Sequence, residues 1–340
     1  MKRSCETSTL SVVIIGRNEG ERLIRCIKSV KEMRPHGGEL ELIYVDTSST
    51  DGSPQRAADL GARVICIQPG RPCAAVARNA GWHEASGSLI LFLDGDTILH
   101  PDFVLNSLSL FDDEKVAVVC GQRREIHPEA SMFNRVLDLD WVNLPGPADY
   151  CGGDAIIRRK VLEEVEGYDE NLIAGEEPDM CRRMREKGFV IQQVDYPMTG
   201  HDLAIHRWGQ YWRRATRTGY AYAEVSERYR DTPLPLWSSE SRRNVKRGLG
   251  LLVLGPTGLV LAALWPSWVP ALAVLGIYGA LALRSAYKFR WKGGDPLTML
   301  LYGMHSHLQQ IPILIGQLTY WKKRRAGDRQ SLIEYKEVST

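Results

Sequence analysis

The chain of 340 residues has no Cys-x-x-Cys pair. Its seven cysteines, Cys5, Cys26, Cys66, Cys73, Cys120, Cys151 and Cys181, are odd in number and scattered. That speaks against a zinc site or a disulfide framework and fits a reducing compartment. Net charge is lacking as well: +2 from 43 basic and 41 acidic side chains is too little to argue for a nucleic-acid partner. No Gly-x-Gly-x-x-Gly follows the first apolar run, and there is no Walker loop, so the two commonest phosphate cradles are not expected. Residues 1–11 hold no apolar stretch long enough for a signal peptide, so the part that follows is expected to stay in the cytoplasm.

What is present is strongly patterned. A composition of 44% hydrophobic and 25% charged residues suits one large domain, or a domain with an appendage. Short β-rich runs at 10–15, 39–45, 62–67 and 89–93 alternate with helical spacing at 21–31, 53–60 and 74–83. This alternation predicts an α/β fold with a mostly parallel sheet flanked by helices. The loops after Ile15, Val45 and Leu93 then gather at one sheet edge, where open α/β sheets bind ligands.

The chain is organised around Asp94-Gly95-Asp96, which ends the apolar run 89–93. Two carboxylates one residue apart at the end of a buried strand repel each other unless a cation lies between them. Mg2+ or Mn2+ is suited to that place, taking carboxylate and substrate phosphate oxygens. The bland alternative is a solvated Asp-Gly-Asp turn. The neighbouring loops offer Arg17, Asn18, Glu19, Asp46, Asp51 and Arg78. Acids there can hold ribose hydroxyls, and an arginine can neutralise a pyrophosphate; each alone is equally an ordinary cap or turn residue.

Three later stretches add chemistry. Cys151-Gly152-Gly153-Asp154 precedes another apolar run, and paired glycines permit either close approach to a sugar or a β-bulge. In Gly175-Glu176-Glu177-Pro178-Asp179, Pro178 fits the first position of a helix, with Glu177 near its N-cap. The helix dipole would keep Glu177 ionised, which suits a general base. His201, after a short strand at 190–194, is either structural or a ligand to the metal or pyrophosphate.

These motifs, in this order, resemble glycosyltransferase family 2. The resemblance rests on Arg17-Asn18-Glu19, Val45-Asp46, Ser49-Thr50-Asp51-Gly52-Ser53, Ala77-Arg78-Asn79, Asp94-Gly95-Asp96, Gly152-Gly153-Asp154, Gly167-Tyr168-Asp169 and Gly175-Glu176-Glu177-Pro178-Asp179. It covers about the first two thirds of the chain. It implies an inverting, nucleotide-sugar-dependent enzyme of the GT-A fold, with Arg17, Glu19, Asp46, Arg78 and Asp94 at the nucleotide. Asp96 and His201 would be on Mn2+ or Mg2+. Gly152, Gly153, Asp154, Glu176, Arg207 and Trp208 would be near sugar or acceptor, and Glu177 would be the base. There are departures. The base is usually Asp, and Thr47 replaces a common second acid. The Arg207-Trp208 pair is similar to part of the Gln-x-x-Arg-Trp motif of processive members such as cellulose synthase, but Ala204 stands at the Gln position.

Stretches 248–265 and 268–283 carry no charge and meet at Trp265-Pro266-Ser267-Trp268. Basic residues flank both outer ends: Arg242, Arg243, Lys246 and Arg247 before, Arg284, Lys288, Arg290 and Lys292 after. This predicts a membrane hairpin with both ends cytoplasmic; a buried soluble hairpin is the alternative. Stretch 297–318 is apolar but contains His305, His307, Gln309, Gln310 and Pro312, so it reads as an interfacial or re-entrant helix, or a third span.

The expected organisation is a cytoplasmic catalytic domain at 1–235, membrane-associated helices at 236–325 and a tail at 326–340. The expected function is metal-dependent transfer of a sugar from a nucleotide diphosphate to a lipid, lipid-linked or polysaccharide hydroxyl at the inner membrane. A polyprenyl-phosphate sugar synthase and a non-catalytic membrane scaffold are the rivals.

Overall fold

The computed structural model describes residues 9–264 and 267–328. Cys5, most of the N-terminal stretch read for a signal peptide, Trp265 and Pro266 of the hairpin turn, and the tail beyond residue 328 lie outside the described residues. The strands are β1 Leu10–Gly16, β2 Leu40–Asp46, β3 Arg63–Cys66, β4 Leu89–Asp94, β5 Thr97–Leu99, β6 Val116–Glu125, β7 Gly146–Ala148, β8 Ala155–Arg158 and β9 Val190–His201. The α-helices are α1 Glu21–Lys31, α2 Ser53–Asp59, α3 Ala74–Glu84, α4 Phe103–Ser107, α5 Met132–Asp138, α6 Arg159–Glu164 and α7 Glu176–Glu186, then α8 Trp208–Arg228, α9 Ser238–Leu264, α10 Val269–Lys288, α11 Pro296–Leu308 and α12 Gln310–Arg325.

The chain divides into two compact units. The sheet unit gathers the described residues up to Ile126 together with Trp141–Leu203; the helical unit gathers His127–Asp140 and the described residues from Ala204 onward. The compositional boundary near residue 235 does not coincide with this division, because α5 and α8 belong with the helical unit.

All nine strands form one sheet of order β3-β2-β1-β4-β8-β6-β9-β5, with β7 on β9. The strands β3, β2, β1 and β4 are mutually parallel, as strand–helix alternation implies. Beyond β4 the sheet is mixed: β8 enters antiparallel between β4 and β6, while β6 and β9 run parallel. The central strands read as continuous apolar runs because both faces are covered; Val12, Val13, Ile14, Ile90, Leu91 and Phe92 are all fully buried. Register fixes the functional edge. Gly16 pairs with Asp46 and Ile15 with Asp94, so the β1, β2 and β4 loops leave the sheet at one level.

In the helical unit α9 and α10 are long and apolar enough to cross a membrane, with only 11% and 6% of their apolar windows buried. The stretch 297–318 is broken at Gln309 into α11 and α12 of 13 and 16 residues. At ~1.5 Å per residue neither matches a ~30 Å hydrocarbon core. The α8–α12 crossing is made by glycines: a Cβ on Gly219 would lie 2.0 Å from the Ile313 carbonyl oxygen, and one on Gly316 2.0 Å from that of Thr216. Inside this unit Tyr211 Oη lies 2.8 Å from His305 Nδ1, and His305 Nε2 lies 3.3 Å from Asp140. Buried among such partners, His305 is a core residue of its helix.

Candidate active site

Asp94 ends β4, and the chain re-enters the sheet three residues later as β5. The Gly95 N–H donates to the Ile15 carbonyl at 2.8 Å, and the Thr97 hydroxyl donates to the Asp94 carbonyl at 2.8 Å. Asp-Gly-Asp is therefore a pinned corner inside the protein, with Asp96 only 5% exposed. β9 runs antiparallel to β5 and sets His201 opposite Thr97. The strand expected at 190–194 continues through Pro197 to His201, bending at irregular register against β6. His201 Nε2 consequently lies 3.4 Å from Asp96 Oδ1.

Asp94, Asp96 and His201 each offer a ligand atom, all within 4.8 Å of one another. Two carboxylates and an imidazole, converging at a strand end, fit a divalent cation. Trp141 closes on His201, ring centroids 4.8 Å apart, and restricts its orientation.

Arginines set the charge of the site. Arg78 from α3 is 2% exposed and donates to Asp94 at 2.9 Å and to Glu176 at 3.1 Å, with Glu177 at 3.0 Å. Burial works against its charge, but Glu177 and then Asp94 more than offset that and raise its pKa. The sequence offers this guanidinium to a pyrophosphate; in the structure it pairs with three carboxylates of the protein. Arg123, at the polar end of β6, was missed. It lies 2.6 Å from Asp154 and 3.7 Å from Asp94, over the Trp141 ring. The only signal was that Gln122-Arg123-Arg124 ends an apolar run much as Asp94 ends its own.

Asp154 does not face outward. Its two oxygens accept from the Asp94 N–H at 3.0 Å and the Thr199 hydroxyl at 2.7 Å. Burial, opposed by Arg123, raises its pKa. It braces Asp94 from below. Gly153 is where a close approach is needed, though to the protein's own groups: a Cβ there would meet Arg78 at 2.5 Å and Asp94 at 2.8 Å. A Cβ on Gly152 would meet nothing within 4 Å.

Glu176 and Glu177 open α7, but the helix begins earlier than Pro178 predicts. Gly175 is the N-cap, with φ 88°, and Pro178 falls within the first turn, where its missing N–H is no loss. Glu177 is partly exposed, at 15%. Burial, then the adjacent Glu176 charge, push its pKa up to about 7 against the pull of Arg78. The dipole expectation of a fully ionised carboxylate is overridden by desolvation and by a like charge. A pKa near neutrality is where a general base works best.

The nucleotide-side candidates lie on the same edge with uneven freedom. Asp46 is 2% exposed, accepting from the Tyr44 hydroxyl and the Ser49 N–H, both at 2.8 Å. Glu19 pairs with Arg22 at 2.9 Å, and Arg17 is exposed. Asn79 brackets Tyr168, donating to its carbonyl at 2.8 Å and accepting from its N–H at 3.0 Å. The Ala77-Arg78-Asn79 and Gly167-Tyr168 motifs thus clamp α3 to the segment before α7. Arg207 and Trp208 belong to the helical unit, where Arg207 caps α8 and Trp208 stacks on Tyr211 with centroids 5.3 Å apart.

The model of glycosyl transferase family group 2 matches residues 89–287, and that of glycosyl transferase family 2 matches residues 11–166. The chain belongs to this family of sugar-transferring enzymes. Among its relatives, glycosyltransferase AglE of Haloferax volcanii is 25% identical over 54% of this chain and 65% of its own length. The pre-mycofactocin glycosyltransferase of Mycobacterium tuberculosis is 26% identical over 94% of this chain and 72% of its own. The chain thus spans just under two thirds of AglE. Mannosyltransferase PcManGT from Pyrobaculum calidifontis, solved with GDP-Man and Mn2+, superposes with a TM-score of 0.65 at 19% identity, covering 94% of this chain and 89% of that one. That likeness is one of fold, the GT-A arrangement of sheet and flanking helices.

Proposed function

We propose that the protein is a metal-dependent inverting glycosyltransferase acting at a membrane. The observation that carries the reading is the convergence of Asp94, Asp96 and His201 within 4.8 Å on the sheet edge where the β1, β2 and β4 loops meet. Asp96 and His201, with Asp94 beside them, would hold Mn2+ or Mg2+, for which a protein of the same fold bound to GDP-Man and Mn2+ is the precedent. A bound cation there would offset the negative charge of a departing nucleoside diphosphate. Glu177 takes the proton of the acceptor hydroxyl. Arg78 keeps that carboxylate in place, and burial, with Glu176 beside it, keeps its pKa near neutrality. Glu19, Asp46 and Arg17 border the nucleotide side, Asp46 through the loop it shapes rather than through free oxygens. Gly152 leaves open space for a sugar.

α9 and α10 support a membrane-spanning hairpin, and the basic residues at its outer ends support a cytoplasmic catalytic unit. That placement supports a lipid, lipid-linked or polysaccharide acceptor at the membrane. The test is incubation of the detergent-purified protein with radiolabelled nucleotide sugars and membrane lipid extract. Label entering the organic phase, dependent on one nucleotide sugar and on Mn2+ or Mg2+, is the expected result; no transfer from any donor overturns the reading.

A further inference from the structure

The helical unit forms a partly open cavity of about 570 Å3 between α9, α10 and the α11–α12 break. Three cations line it, Arg247 from α9 and Arg284 and Lys288 from α10. Among the described residues none of the three has an ion-pair partner. The charges that act on Arg247 are Arg243 and Arg284, both of its own sign. Like charges held together are unfavourable unless an anion sits among them.

The opposite end of the cavity is apolar. Leu251 and Leu254 lie on the Arg247 face of α9, and Leu281 on the Arg284 face of α10. Arg247 and Leu254 are seven residues apart, ~10 Å along the helix. The two helices run antiparallel, with the Tyr278 hydroxyl donating to the Leu251 carbonyl at 2.8 Å, so both place cations outward and leucines inward. His307 bonds to Ser285 at 2.9 Å and to the Leu281 carbonyl at 3.1 Å. Burial, reinforced by Arg247 and Arg284, lowers its pKa, so it adds no fourth charge. Gln310, 6% exposed, lines the cavity with an Oε1 that has no hydrogen-bond partner among the described residues. It offers an acceptor for a ligand hydroxyl.

We propose that this cavity binds an anionic phospholipid, with its phosphate among Arg247, Arg284 and Lys288, a head-group hydroxyl on Gln310, and an acyl chain along Leu254 and Leu281. Charge complementarity at one end and apolar walls at the other select a phosphate carried by a lipid over a free one. The inference rests on the membrane reading of α9 and α10.

Native mass spectrometry of the full chain released from detergent tests it, with phosphatidylglycerol, phosphatidylcholine and inorganic phosphate as probes. The parent should retain phosphatidylglycerol about tenfold or more over phosphatidylcholine. Arg284→Gln with Lys288→Gln should abolish the preference, while Lys322→Gln with Lys323→Gln, outside the cavity, should keep it. Should the first pair misfold, Leu254→Trp fills the apolar end without touching charge and should cut retention of phosphatidylglycerol. Equal retention of both lipids by the parent, unchanged preference in the cavity variants, or complete competition by inorganic phosphate overturns the proposal. A protein that stays in solution without detergent overturns the membrane reading instead, so the two failures are distinguishable.

Discussion

Glu177 carries its carboxylate 3.0 Å from the guanidinium of Arg78, one residue from a second acid bound to the same arginine. One cation is shared among Asp94, Glu176 and Glu177, and Glu177 holds its proton to about pH 7. The sign of the consequence is fixed. A raised carboxylate pKa means that the group is protonated, and useless as a base, below that pH. Transfer should rise about tenfold per pH unit below ~7 and level off above it, as for a single required ionisation. Glu177→Gln should lose ~10²–10⁴-fold in rate, with nucleotide affinity little changed, and Glu176→Gln should be milder. An initial-rate pH profile and one nucleotide titration per variant measure this. Parental rates in both variants would mean that the acceptor arrives already ionised, as a polyprenyl phosphate does.

The Asp96–His201 pair makes a second prediction. EDTA should abolish transfer, and Mn2+ or Mg2+ should restore it. Mn2+ titrated into the parent and followed by electron paramagnetic resonance should show one bound ion, weakened in His201→Ala and lost in Asp96→Ala. Full activity of Asp96→Ala in chelator would remove the metal from the site.

Gly153 yields a prediction in the opposite direction from its neighbour. Gly153→Ala puts a methyl against Arg78 and Asp94, and overpacking of this kind costs ~1–3 kcal/mol. Gly152→Ala meets open space and should melt like the parent. Thermal denaturation of the two variants separates a structural glycine from a spacious one.

Membrane attachment is tested by fractionation. The protein should stay with the membrane pellet through alkaline carbonate washing and need detergent for release. Complete recovery in the aqueous phase would make α9 and α10 something other than spans.

The parts of the site that were legible from sequence are those where a strand ends. An apolar run stopping at Asp94 announces a partly buried carboxylate at a sheet edge, and parallel register does the rest by setting Asp46 and Asp94 level with the end of β1. What spacing does not encode is side-chain direction. Arg78 and Asp154 were expected to reach toward ligand, yet both hold other site residues. Arg123 left only the faint signal of a basic end to an apolar run, and Trp141 left none, since only the β6–β9 pairing and the fold of the chain bring Arg123 over Trp141 and Trp141 onto His201. The start of α7 was misplaced because a left-handed Gly175 is invisible where Pro178 draws attention. The pKa of Glu177 was misjudged because the helix dipole can be read from sequence and burial cannot.

The excursion of the chain through His127–Asp140 has a consequence for how such a protein can be divided or recombined. That segment belongs to the helical unit, where Ser131 and Asn134 bond to Ile205 and Tyr302 donates to Asp140. The helical unit is therefore encoded in two pieces separated by β7, β8, α6, α7 and β9. No single break in the gene transplants it, and a graft taken from residue 204 onward would arrive without the short helix α5 that its own atoms expect. Exchange of the helical unit between members with this layout must carry the inner segment along or replace its hydrogen bonds.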